Sequence, residues 1–253
     1  MASYTTYGNY VSFDGSISLH ENSAFHLAVP TDVSADAVGY YAYVIDCVTG
    51  LFQQVLPSLK ERGVLIRNDP DAPNPRYERR ERRIILHTHP VRWAQVTYQY
   101  AHELCHHAIE RDVPDSLRFL EESLCATASF YFLRKLAYLW QARGDALYNA
   151  DTGRPFAPEL VSYAVEEGMN ARVFNQKDPE MQRYLAGNCY DRAKNDYLAA
   201  QFLPIFTEYP ATWLAVPQLC RVRSRALPDA LEEWMRLSPA AAQTGLGWIR
   251  NLF

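Results

Sequence analysis

Apolar residues recur along the chain in two rhythms. Between Val91 and Val113 they fall at three- and four-residue steps, at Val96, Ala101, Leu104, Cys105, Ala108 and Ile109, the spacing of one buried helix face. No Gly or Pro interrupts that stretch; Pro90 stands at its front and Pro114 past its end, so a single helix is predicted. A turn, Arg111 to Asp115, follows. Asp112 or Asp115 can cap a second helix from Ser116 to about Trp140. That helix is apolar almost all round, with Leu117, Phe119, Leu120, Leu124, Cys125 and Phe130 to Leu133, which predicts burial. An earlier helix is predicted over Thr31 to Arg62, its apolar face formed by Ala37, Tyr40, Tyr41, Val44, Ile45 and Val48, with Gly50 and Pro57 as breaking or bending points.

The second rhythm is short and β-prone. Tyr10 to Phe13 and Ile17 to Leu19 flank Asp14-Gly15, a hairpin signal. Val64 to Ile66 and Ile84 to Leu86 read as short buried strands, separated by the loop Asn68 to Pro75. Tyr77 to Arg83, YERRERR, reads as a solvated strand start or exposed loop, because Glu78 and Glu81 dilute the arginines. Past the Gly144 to Pro158 connection the chain reads as helical: Pro158 to about Arg172, Pro179 to Phe202, a stretch around Pro204 to Thr212, and Pro228 to Leu237. The pattern predicts an α+β, mainly α-helical protein with a small sheet. The part with chemistry would span 1–145, and a helical part, 146–253, would pack against it as one unit.

Composition narrows the partners. The 253 residues suit one large domain or two small ones, and a net charge of −4 argues against a general nucleic-acid binder. Five cysteines are dispersed, odd in number and without a C-x-x-C. They read as small buried hydrophobes in a reducing cytosol, not as disulfides or a zinc knuckle. The start, MASYTTYGNY, lacks the charged and apolar regions of a signal peptide. No uncharged apolar run approaches the roughly 20 residues of a membrane span. A cytoplasmic protein without a membrane partner is expected.

The chemistry concentrates in His102-Glu103-Leu104-Cys105-His106, an H-E-x-x-H pattern. Residues four apart share one helix face, so both imidazoles reach one small ion, and zinc suits them. Glu103 leans to the same side and can take a proton from an activated water without ligating. His107 lies about 100° round the helix from His106 and is expected to face away. His87 and His89 could pair as ligands, but from a less rigid segment; His20 and His26 read as surface or packed residues. On the second helix Glu121 and Glu122 stand in apolar surroundings, where a carboxylate needs an ion partner such as Arg118 or a metal. Residue pattern alone leaves these two open.

The motif followed by a helical glutamate resembles the gluzincin group of zinc metallopeptidases. The order strand, motif helix, glutamate helix is similar to the small ImmA/IrrE-type peptidases. The resemblance covers about Ile84 to Leu133. It implies a zincin-like fold, one Zn2+ per chain held by His102, His106 and Glu122, Glu103 as general base, and hydrolysis of peptide bonds in a peptide or protein substrate. Glu122 is chosen over Glu121 because Glu122-Ser123-Leu124-Cys125 fits the family form of Glu, any, apolar, small. Tyr190 or Tyr197 would stabilise the oxyanion. Two departures stand out: the spacing from His106 to Glu122 is short for the group, and Ala126 stands where many relatives carry an acidic residue. The rival readings are a non-catalytic zincin-fold binding protein, a di-iron carboxylate protein and a scaffold with surface histidines. The di-iron class needs a second E-x-x-H, which the chain lacks.

Overall fold

A computed structural model of the protein describes residues 4–7, 10–19, 24–30, 33–143 and 156–253. The chain order is β1 (Tyr4–Tyr7), β2 (Tyr10–Phe13), β3 (Ser16–Ser18), β4 (Phe25–Ala28), α1 (Ala35–Val55), β5 (Val64–Asn68), β6 (Arg76–Glu78), β7 (Arg83–Leu86), α2 (Trp93–Ile109) and α3 (Arg118–Arg143). Five further helices follow: α4 (Ala157–Gly168), α5 (Pro179–Gly187), α6 (Arg192–Glu208), α7 (Leu227–Leu237) and α8 (Gln243–Leu252). The protein is thus α+β and mostly helical, with one mixed sheet. His20, and most of the connection expected at Gly144 to Pro158 with the boundary near 145, lie outside the described residues.

The sheet has the order β1-β2-β3-β4-β5-β7-β6. Its first four strands form an antiparallel meander. The hairpin expected at Asp14-Gly15 is present, with φ of 49° and 80° at those residues; both central positions are left-handed, as a type I′ turn requires. β4, β5 and β7 run parallel, so β4 and β5 need the long crossover that α1 supplies. Ser34 caps α1, its Oγ accepting from the Ala37 amide at 3.3 Å. Gly50 does not break α1, because it is buried in the helix interior; the helix ends at Pro57, where a short 3-10 turn, Pro57–Glu61, takes over. The edge strand β6, inside the charge-rich stretch, pairs antiparallel with β7.

The chain divides into two compact units. One comprises residues 1–107 and 132–164, the other 108–131 and 165–253. Each therefore takes part of α2 and part of α3, and the division follows no single cut along the sequence. In the first unit Ile17, Leu27, Ile66 and Ile84 from the sheet, Tyr41, Ile45 and Phe52 from α1, and Leu104 from α2 are fully buried. Phe132 stacks on Phe52 at 4.4 Å. The second unit centres on Trp213, which meets Tyr131 at 5.2 Å and Phe206 at 4.4 Å. Trp213 lies in a 3-10 run, Pro210–Arg221. Gly245 of α8 lets that run approach closely, since a Cβ there would overlap Thr212 Oγ1. Among the described residues no helix is long and apolar enough to cross a membrane.

Candidate metal centre

The segment entering α2 is fixed before the histidines are reached. Gln99 grips the backbone of His87 twice, its Oε1 accepting from the amide and its Nε2 donating to the carbonyl, both at 2.9 Å. Thr88 Oγ1 donates to Gln95 Oε1 at 3.0 Å. Gln99 stands less than one turn, and Gln95 about two turns, before His102.

His102 and His106 are half-buried on α2, with ring centroids 5.1 Å apart. Cys125, fully buried on α3, completes a group with them: one imidazole nitrogen from each histidine and the thiol sulfur all lie within 4.8 Å of one another. Zinc–nitrogen bonds of roughly 2.0–2.1 Å and zinc–sulfur bonds of about 2.3 Å set tetrahedral donors about 3.3–3.8 Å apart. Two imidazoles and one thiolate form a donor set suited to a borderline-soft ion, so these residues fit a metal ion. Glu103, beside His102, is buried with 4% of its surface exposed.

The sequence placed Glu122 in this set, and the structure does not bring it into the group. Glu122 precedes Cys125 by three residues, which turns it about 60° round α3. The Cys189 thiol is pushed up first by burial and then by Glu122, with Arg118 opposing. Arg118 in turn pairs with Asp115 at 3.0 Å; burial opposes its charge, and a hydrogen bond to Tyr190 together with the Asp115 carboxylate outweighs that cost. Glu122 thus belongs to a polar cluster at the start of α3. Glu121, one turn before Cys125 on the same side of the helix, is buried and likewise stands outside the group.

Cys125 was read as a buried hydrophobe. A signal for it existed: Glu121, Cys125 and Ser129 form a column at four-residue steps in an otherwise apolar helix. A column of that kind marks a face that meets something polar.

The last turn of α2 is clamped from the sheet edge. Arg79 Nη1 donates to the His106 carbonyl at 3.1 Å, one of the carbonyls a helix C-terminus leaves without an internal partner. A cation suits that end of the helix dipole. Arg79 also lies over the Tyr77 ring, 5.8 Å from its centroid. His107 Nε2 faces the Arg62 carbonyl at 3.2 Å and Nδ1 faces Tyr77 Oη at 2.9 Å. A carbonyl only accepts, so Nε2 carries the proton and Nδ1 accepts from Tyr77. The third histidine is therefore structural, packed edge-on against Phe25.

The remaining candidates lie elsewhere. His89 Nδ1 accepts from the Val91 amide at 3.4 Å, and His26 bonds to Ser18 at 3.5 Å. Neither they nor His87 belong to the group. Tyr190 is 71% exposed and engaged with Arg118; Tyr197 packs on Phe174 at 4.9 Å. No family model, no curated protein and no solved structure matches this chain.

Proposed function

We propose that the protein is a zinc-dependent hydrolase of peptide bonds in which His102, His106 and Cys125 hold the metal and Glu103 is the general base. One observation carries the reading: three donors of suitable chemistry lie within 4.8 Å of one another, with the buried carboxylate of Glu103 next in sequence to one of them. The likeness of His102, Glu103 and His106 to the gluzincin motif supports the same chemistry. Cys125 takes the place that the likeness gives to Glu122.

Zinc, when bound, supplies Lewis acidity that makes a water more acidic and a substrate carbonyl more electrophilic. Glu103 accepts the proton of the attacking water and returns it to the departing amine. Its burial keeps bulk solvent from competing for that proton. The contacts of Arg79 and of the Tyr77–His107 pair fix the turn that carries His106, so its imidazole is oriented before any ion arrives.

The test is metal content measured beside peptide hydrolysis. The expected result is about one zinc per chain in the wild type, a set of three protein ligands with one open position. Glu103→Gln keeps that zinc and loses about 10²- to 10⁴-fold in turnover. Undiminished hydrolysis by Glu103→Gln ends the mechanism; no zinc after reconstitution ends the metal site. A thiolate ligand also suits a purely structural site, and full zinc occupancy without turnover on any peptide library selects that reading, a non-catalytic binding protein.

A further inference from the structure

The three parallel strands β4, β5 and β7 end side by side, and the backbone just beyond their C-terminal ends borders a cleft of about 550 Å³. That is the end of a parallel sheet where ligands are commonly held, and the volume suits a small molecule. The cleft shares no residue with the metal centre.

Its two sides carry opposite charge. On the outer face of the sheet Leu65 pairs with Arg83, and Arg67 with Ile85, so Arg67 and Arg83 are diagonal neighbours on one face. Arg83 is engaged by Glu78 at 2.6 Å; Arg67 makes no ion pair among the described residues. The facing loop offers two carboxylates. Asp69 is oriented by the Asp71 amide, which donates to its Oδ1 at 3.2 Å. Asp71 contributes a second carboxylate. Neither carboxylate pairs with either arginine among the described residues, although all four line the same space. Val29, Pro30 and Val33 form an apolar wall between them.

We propose that this cleft binds a small α-amino acid in zwitterionic form, free or as a dipeptide. A primary ammonium has three donors and no acceptor. The loop supplies two carboxylates, Asp69 and Asp71, and no competing cation. The carboxylate of the ligand meets the Arg67 guanidinium, whose planar fork matches it. The side chain of the ligand lies on the apolar wall.

The experiment is titration calorimetry on the full chain with each of the twenty common amino acids and with glycyl-leucine. Saturable binding is expected for at least one of these zwitterions. Its N-acetylated and its carboxamide derivatives are expected to bind at least about 10-fold more weakly, the scale of one lost charged hydrogen bond. Arg67→Gln weakens the carboxylate end and Asp69→Asn the ammonium end, both without change in melting temperature, while His102→Ala binds like wild type. The tighter of free amino acid and dipeptide identifies the source. No saturable binding by any probe, equal affinity for the blocked derivatives, or unaltered affinity in Arg67→Gln overturns the proposal. Loss of binding in His102→Ala moves the ligand to the metal centre and overturns it too. A failure of the metal reading leaves all these outcomes unchanged.

Discussion

The two helices that carry the donor atoms are held in opposite ways. α2 is gripped by polar contacts at both ends, Gln99 on the His87 backbone before the motif and Arg79 on the His106 carbonyl after it. α3 is held by burial: Phe132 stacks on Phe52, Tyr131 meets Trp213, and the hydroxyls of Ser123 and Thr127 turn back to carbonyls of their own helix at 2.7 Å. A polar grip sets where one side chain points and adds little to global stability. Burial sets whether the helix is there at all. α3 is buried around Cys125, although Arg134, Lys135 and Tyr138 are exposed, so a donor at that position has to be small, and a thiol meets that limit where imidazoles stand on α2.

Removal of the α3 donor separates the two helices most strongly. Cys125→Ser is expected to abolish stoichiometric zinc, as His106→Ala does, while Glu122→Gln retains it, all read by elemental mass spectrometry after gel filtration. With cobalt in place of zinc, a thiolate-to-metal charge-transfer band should be present in the wild type and in Glu122→Gln. Retention of metal by Cys125→Ser together with its loss from Glu122→Gln would return the third ligand to the glutamate.

Next in size is a pair of substitutions that separates fold from geometry. Phe132→Ala removes a fully buried ring and is expected to cost about 3–5 kcal/mol in denaturant unfolding. Arg79→Ala leaves the core intact and should lower zinc affinity by roughly 10- to 100-fold, the usual scale for an outer contact to a ligand residue. Arg79→Lys should restore part of that loss, because the charge remains at the helix end while the fork geometry is gone. If Arg79→Ala unfolds the protein as readily as Phe132→Ala does, the clamp is part of the core and the contrast collapses.

The same contrast explains what could be read from the sequence. α2, its two histidines and Glu103 were legible because local spacing alone puts His102 and His106 on one face, and the Asp14-Gly15 hairpin because its turn needs no distant partner. β6 was legible only in part: Tyr77 to Arg83 reads as a strand start or an exposed loop, and Arg76 to Glu78 becomes a strand by pairing with β7. The 3-10 run around Trp213 was not legible, because the ring is packed by Tyr131 from far away in the sequence. Pro204 lies within α6, where proline punctuation suggested a break. Cys125 was hidden for a related reason: composition treats a lone cysteine as a hydrophobe, and only the approach of α2 gives its sulfur two imidazole neighbours.

The smallest effect tests which way Glu122 faces. Its negative charge is one of the causes that raise the Cys189 thiol, after burial. Neutralising it in Glu122→Gln should lower the pH at which Cys189 becomes a thiolate, so that alkylation at a fixed pH below that point is faster than in wild type. Peptide mass spectrometry after timed labelling isolates Cys189 from Cys47, which is also partly exposed, and from the three buried cysteines. Adding zinc should leave the difference intact, because Glu122 keeps its charge when the metal is held by Cys125. A zinc-dependent acceleration of Cys189 labelling in the wild type, matching that of Glu122→Gln, would mean that the ion has taken up the Glu122 carboxylate, and the assignment of α3 faces would be reversed.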